Sequence, residues 1–209
     1  MKLCPQYHSL QLTEISDARN KRDMRLNELT GYRNHPFYEL IKNSTSVYEF
    51  FENLKREGYR EYIAGEGLYA GVLHRPQDDY VIKIFDSNDS GYETYLKFMM
   101  MFQKNPHVPK LRGKPIGFLD RYRIVRMEKL EPFNDASDHE KFVNLIHFIN
   151  SKTSNAPLSK KLKSYVKQYP DLVQLVDFLH SHRHRLDLHP GNAMYRPPDR
   201  TLVITDPLS

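Results

Sequence analysis

The chain has 209 residues, of which 39% are hydrophobic and 12% aromatic, so a folded core is expected and wholesale disorder is excluded. Its 31 Lys and Arg residues exceed its 26 Asp and Glu residues by five, an excess typical of solvated surface charge that is also compatible with a phosphate-bearing ligand. The single cysteine, Cys4, excludes an internal disulfide framework and a cysteine-cluster metal site.

The sequence contains no candidate membrane segment. No apolar run approaches the roughly 20 residues that a spanning helix needs, and the N-terminus lacks a continuous apolar signal core. We therefore expect a soluble, cytoplasmic protein without a membrane partner. No distinct nucleic-acid motif is present, so direct nucleic-acid binding is not expected.

The first 130 residues predict an N-terminal extension followed by a strand-rich lobe. Residues 1–58 are polar and charge-rich, and they end in an amphipathic helix over 46–58 that Gly58 would terminate. The next predicted elements are strands within 59–73 and 78–85, a helix over 90–105 before Pro106, and strands around 114–120 and 122–130.

The character of the sequence changes after residue 130. Two amphipathic helices are predicted over 137–152 and 170–183, separated by a Ser/Lys-rich connection, and a short strand covers 201–206. This order predicts a two-lobed α+β fold, with an N-lobe over 59–130 and a reduced C-lobe over 131–209.

Four polar residues have the types and spacing that phosphoryl transfer needs. Mg²⁺ is a hard cation that takes one or two protein oxygen ligands beside substrate phosphates, and transfer also needs a carboxylate near the acceptor hydroxyl and a cation on the phosphates. Asp187 would face the acceptor hydroxyl, and Asn192 and Asp206 would hold the metal. Lys83, inside the strand "YVIKIF", would reach the α- and β-phosphates.

Three of these residues also have a purely structural interpretation. Asp187 and Asn192 lie among turn-forming residues and could simply cap a loop. Lys83 lies between two isoleucines and needs a partner charge or a phosphate there, unless its strand is at a sheet edge where the ammonium can reach water. The spacing of the whole set favours the catalytic interpretation.

Several motifs together resemble a known family. "DLHPGNAM…VITDP" looks like the catalytic loop and metal-binding Asp of the protein-kinase-like superfamily, which includes aminoglycoside-type phosphotransferases. "GEGLYAGVL", "VIKIF", "DSGYETYLKF", "DLHPGN" and "ITDPLS" occur in the order seen in the early serine/threonine kinases of T-seven-like bacteriophages. The resemblance covers about residues 59–209 and implies a minimal protein-kinase-like fold, truncated after the metal-binding Asp.

The resemblance also implies an ion-pair partner for Lys83. Glu93, on the helix that follows, is the candidate, although the link of ten residues is short for this fold. The alternatives are Glu66, Glu128 or no glutamate at all.

The nucleotide-binding residues are implied in the same way. Gly65 and Gly67 would form part of a glycine-rich loop over the phosphates, in which Ala70 replaces the third glycine, and Val72 would pack on the base. The segment "MEKL" looks like the hinge that contacts adenine, and it supplies Glu128 and Leu130 as candidate ATP contacts.

The implied activity is ATP- and Mg²⁺-dependent phosphorylation of Ser or Thr hydroxyls. The expected substrates are host proteins in the bacterial cytoplasm, such as RNA polymerase or RNA-processing enzymes, whose modification would serve phage takeover of transcription. The alternative is a weakly active or inactive kinase-like module that inhibits a host protein, which Ala70, the short Lys83–Glu93 link and the missing peptide-docking lobe favour. A third interpretation is a small-molecule phosphotransferase, which "DLHPGN" with His189 favours.

Overall fold

The computed structural model describes residues 36–62, 70–132, 136–154 and 157–209. Within these ranges the chain forms an antiparallel sheet followed by a helical part and a β-hairpin. The elements are helices α1 (Pro36–Asn43) and α2 (Val47–Arg56), strands β1 (Arg60–Glu61), β2 (Ala70–His74) and β3 (Tyr80–Asp86), helix α3 (Ser90–Met101), strands β4 (Ile116–Phe118) and β5 (Tyr122–Glu128), helices α4 (Ala136–Ser154), α5 (Lys160–Gln168) and α6 (Asp171–Ser181), a 3₁₀ turn (Pro190–Asn192), and strands β6 (Ala193–Arg196) and β7 (Thr201–Ile204).

Strand β3 lies at the centre of a five-stranded antiparallel sheet. The strand order is β1-β2-β3-β5-β4, so β3 is hydrogen-bonded on both sides. Val72 of β2 and Val125 of β5 lie directly opposite Lys83 in the register, and cross-strand partners share one face of a sheet. Lys83 is therefore on a central strand, and the edge-strand explanation for this lysine does not apply.

One face of the sheet is covered by the helices that precede it. Phe50 and Leu54 of α2 are fully buried, and they belong to one apolar cluster with Leu73 and Ile82 of the sheet. Helix α2 begins after Ser46, whose hydroxyl accepts a hydrogen bond from the amide of Glu49. The residues of 36–56 therefore contribute directly to the core of the sheet.

The other face of the sheet packs against α3 and the helical part. Its central layer is aromatic, because Tyr92, Tyr95 and Phe98 of α3 are all buried. One cluster joins these rings to Phe85 of β3, Leu175 of α6 and buried residues of α4, α5, β6 and β7. The sheet and the helical part thus share a single core, and the face that carries Lys83 looks into it.

The predicted α+β fold class is confirmed, and two elements were missed. The connection over 153–168 contains α5, because Leu162 and Tyr165 supply a buried stripe within a lysine-rich segment. Strand β6 follows the 3₁₀ turn directly and pairs with β7, with Met194 opposite Val203. Among the described residues, no helix is long and apolar enough to cross a membrane.

Candidate active site

Two loops that carry the predicted polar residues are hydrogen-bonded to each other. Leu186 forms an isolated antiparallel bridge with Leu208. The Asp187 amide donates to the Pro207 carbonyl at 2.9 Å, and the Thr205 amide donates to the Asn192 carbonyl at 2.9 Å. The β6–β7 hairpin returns the chain so that the segment around Asp206 lies along the segment from 185 to 192.

The side chain of Asn192 is oriented by the loop that it belongs to. Its Nδ2 donates to the Asp187 carbonyl at 2.8 Å and lies 3.4 Å from Asp187 Oδ2. With the NH₂ group committed to Asp187, the remaining polar atom of the amide is Oδ1, an acceptor suited to a hard cation. The side chain of Asp187 itself is 51% exposed, so its carboxylate is open to an incoming group.

Asp206 and Lys83 form an ion pair that joins the loop after β7 to the central strand of the sheet. Lys83 Nζ lies 2.7 Å from Asp206 Oδ2, although the two residues are 123 positions apart. Burial raises the pKa of Asp206 above its usual value, and the nearby carboxylates of Asp89 and Asp187 add to this, while the Lys83 ammonium opposes it. A second cation beside this carboxylate, such as a metal ion, would therefore stabilise its charged form.

Glu93 does not occupy the position predicted for it. Its Oε1 accepts a hydrogen bond from Arg123 Nε at 2.9 Å, while Lys83 is paired with Asp206. The residue of α3 next to the Lys83 ammonium is Tyr92, whose ring centroid is 3.5 Å from Nζ. Consecutive helical residues point about 100° apart, so only one of Tyr92 and Glu93 can face Lys83, and the buried residue is Tyr92.

Only some of the predicted nucleotide-binding residues lie in the described part of the chain. Gly65 and Gly67 lie outside the described residues, whereas Val72 is half-buried opposite Lys83 on the same face of the sheet. Leu130 is buried, and its carbonyl accepts a hydrogen bond from the hydroxyl of Tyr62. The role of these residues in binding ATP stays a prediction.

Glu128 uses its side chain inside the protein. Both carboxylate oxygens accept hydrogen bonds from Arg196, at 2.7 Å and 2.5 Å, and Oε1 also accepts from the Lys110 amide at 2.7 Å. Arg196 donates as well to the carbonyls of Pro106 and Val108. This pair of hydrogen bonds between Arg196 and Glu128, here called the fork, ties the end of β5 to β6, four residues after Asn192. Nothing in the sequence pattern predicted a role for Arg196.

The oxygen donors of the site fit a hard divalent cation. Asp206 supplies a carboxylate and Asn192 an amide oxygen, and Mg²⁺ binds through one or two such ligands with phosphate oxygens completing its shell. Over the described ranges, no group of three or more His, Cys, Asp or Glu side chains is placed to hold a metal ion.

Gly91 makes room for the segment that follows Asp206. A Cβ atom at Gly91 would lie 2.7 Å from the Leu208 carbonyl oxygen and 3.0 Å from the Ser209 amide, and both of these atoms are backbone. Because the residues after Asp206 pass directly over the first turn of α3, this glycine helps to set the position of the Asp206 carboxylate.

We expect Gly91→Ala to destabilise the protein, although alanine normally favours a helix interior by about 0.5–1 kcal/mol over glycine. The overlap with backbone forces the segment 206–209 away from α3, which lengthens the Lys83–Asp206 contact. Urea denaturation of this variant beside Ser90→Ala, an exposed change in the same turn, measures the effect. A Gly91→Ala protein that is as stable as wild type would show that the loop is not held against α3.

Comparisons with known proteins identify structural neighbours but no family. No protein-family model matches the chain, and no curated protein matches it. The kinase PK-1 of Cydia pomonella Granulovirus has a TM-score of 0.40 at 13% identity, covering 75% of this chain and 55% of the kinase. Rad53 1-466, in complex with AMP-PNP, has a TM-score of 0.38 at 15% identity, covering 76% and 42%. Vaccinia related kinase 3 has a TM-score of 0.36 at 9% identity, covering 70% and 46%.

The chain therefore spans about half the length of the solved kinases that it matches. A likeness at these TM-scores and identities carries no argument about this chain. Activity and substrate have to be argued from the site itself.

Proposed function

We propose that the protein is an ATP- and Mg²⁺-dependent phosphotransferase that acts on Ser or Thr hydroxyls of other proteins. The observation that carries the proposal is the 2.7 Å contact between Lys83 and Asp206, beside a loop that holds Asp187 and Asn192. Lys83 is buried and Asp206 could bind a metal ion, and the two residues are 123 positions apart in the sequence. Their contact brings together the two groups that would bind the phosphates, one directly and one through the metal.

Each of these side chains has a role in the proposed reaction. Bound ATP with Mg²⁺ supplies the phosphoryl group and the charge neutralisation that the transfer needs. Asp206 and the Asn192 Oδ1 would hold the metal, and Lys83 would bind phosphate oxygens. Asp187 would orient the acceptor hydroxyl and accept its proton, and the Asn192 NH₂ group would keep the Asp187 backbone in place.

The proposed acceptor is a protein side chain, because the Asp187 side chain is 51% exposed and so accessible to a bulky acceptor. From the sequence resemblance, we propose Ser and Thr residues of bacterial host proteins, with RNA polymerase and RNA-processing enzymes as the first substrates to test.

A kinase-like binding module without activity is the second candidate. The observation that favours it is the pairing of Glu93 with Arg123, since the resemblance implied a Lys83–Glu93 pair. The Asp206→Asn variant separates the two candidates, because a pure binder would keep its biological effect in that variant.

Transfer of labelled γ-phosphate from ATP to a bacterial lysate and to the protein itself tests the proposal. We expect Asp187→Ala to reduce transfer by about 10²- to 10⁴-fold, the usual contribution of a positioned acid–base group. Nucleotide binding, measured by thermal shift, should be unchanged, because Asp187 is assigned to the acceptor. An Asp187→Ala protein with wild-type transfer would overturn the role of Asp187, and a wild-type protein without transfer would overturn the proposed function.

A further inference from the structure

We propose that Tyr92 is the residue of α3 that positions the Lys83 ammonium, through the face of its aromatic ring. The Lys83 Nζ lies 3.5 Å from the centroid of that ring, well within the range of a cation–π contact. Glu93, which the sequence resemblance suggested for this task, is bound to Arg123. The inference deepens the proposed function and rests on it for its kinetic consequence.

The ring of Tyr92 is held firmly enough to serve as a platform. Tyr92 has no exposed surface, and Phe85 contacts it edge-to-face with 4.5 Å between the ring centroids. Helix α3 is also attached, within one turn after Tyr92, to the C-terminal part of the chain. The Tyr95 hydroxyl donates to the Ile204 carbonyl at 2.5 Å, and Thr94 is hydrogen-bonded to His184 at 3.1 Å.

A ring suits this position better than a second carboxylate for an electrostatic reason. Asp206 already supplies one negative charge to Lys83, and in the proposed reaction Asp206 must also hold a metal ion. A neutral ring attracts the ammonium through its quadrupole without competing for that metal or repelling phosphates. Burial raises the pKa of the Tyr92 phenol well above its usual value, so the side chain stays neutral at physiological pH.

The hydroxyl of Tyr92 is not needed for this role. It is buried and finds no hydrogen-bond partner among the described residues. The ring alone makes the contact with Lys83, so phenylalanine should replace tyrosine without loss. This separates a role of the ring from a role of the phenol as a hydrogen-bond donor or proton carrier.

The direct test is the NMR signal of the Lys83 side chain in protein labelled with ¹³C at lysine Cε. Protons above an aromatic face are shifted upfield by the ring current, so the Lys83 Hε resonance should lie upfield of the other lysines. Lys83→Arg assigns the signal. The upfield shift should persist in Tyr92→Phe and Glu93→Gln and disappear in Tyr92→Met. An unshifted Lys83 signal in the wild-type protein overturns the proposal, so the decision does not depend on any Tyr92 variant folding.

The kinetic test compares the same variants in the phosphate-transfer assay. Tyr92→Met should raise the KM for ATP by roughly 3- to 30-fold, the range for loss of one cation–π contact, with a smaller change in kcat. Phe98→Met, a matched loss of a buried ring in the same helix, should leave the KM unchanged. A larger KM effect in Glu93→Gln than in Tyr92→Met overturns the assignment. Absence of transfer in every protein would refute the proposed function alone, since the Lys83 resonance still reports on Tyr92.

Discussion

Asp206→Asn is expected to reduce phosphate transfer by at least about 100-fold while leaving the fold intact. The substitution keeps the shape of the side chain and removes the charge that would hold a metal ion and neutralise Lys83 at 2.7 Å. Losing a single preorganised charge partner of a transition state costs about 10²–10³ in rate. Initial rates at several Mg²⁺ concentrations measure the effect, and added Mg²⁺ should restore little of the activity.

The control for this variant tests how the loss of the Asp206 charge affects the buried ammonium of Lys83. Lys83 is only 7% exposed, so removing the charge of Asp206 leaves a buried ammonium with a weakened partner and should lower stability. The double variant Lys83→Met/Asp206→Asn should regain stability without regaining transfer. If Asp206→Asn alone transfers phosphate at the wild-type rate, Asp206 is not a metal ligand and the interpretation of the Lys83–Asp206 contact as a phosphate site fails.

Much of the candidate site was predictable because its information is local. The interval between Asp187 and Asn192 is five residues, and the 3₁₀ turn Pro190–Asn192 folds the amide back onto the Asp187 carbonyl. The strand "YVIKIF" was predictable from its run of β-branched and aromatic residues, and an apolar run around Lys83 required that the lysine have a partner. Residues separated by a few positions predict turns, and the hydrophobic pattern of a short segment predicts strands.

The partners of the charged residues were not predictable in the same way. Glu93 is bound to a residue 30 positions away, Glu128 to one 68 positions away and Lys83 to one 123 positions away. The packing of α3 and the β6–β7 hairpin against the sheet decides which carboxylate contacts which cation. That packing cannot be inferred from local patterns in a single sequence. Whether Tyr92 or Glu93 faces Lys83 depends on a rotation of α3 about its axis by about 100°, the angle between consecutive helical residues.

Arg196→Met is expected to destabilise the protein by about 3–5 kcal/mol, the usual cost of breaking a buried ion pair from one side. The side chains of Arg196 and Glu128 are 18% and 11% exposed, and the Arg196 guanidinium also caps the carbonyls of Pro106 and Val108. Without Arg196, the Glu128 carboxylate keeps only the Lys110 amide among the hydrogen bonds described above. Urea denaturation gives the free energy of unfolding directly.

The double variant Glu128→Met/Arg196→Met distinguishes loss of an ion pair from loss of packing. Because it leaves no unpaired charge, it should recover most of the stability that Arg196→Met loses. Lys152→Met, which breaks the exposed pair with Asp177, should cost no more than about 1 kcal/mol and serves as the surface control. If Arg196→Met costs as little as that control, the fork does not fix β5 to β6. The position of Asn192, four residues before Arg196, would then depend on its own loop and on the hydrogen bond from the Thr205 amide.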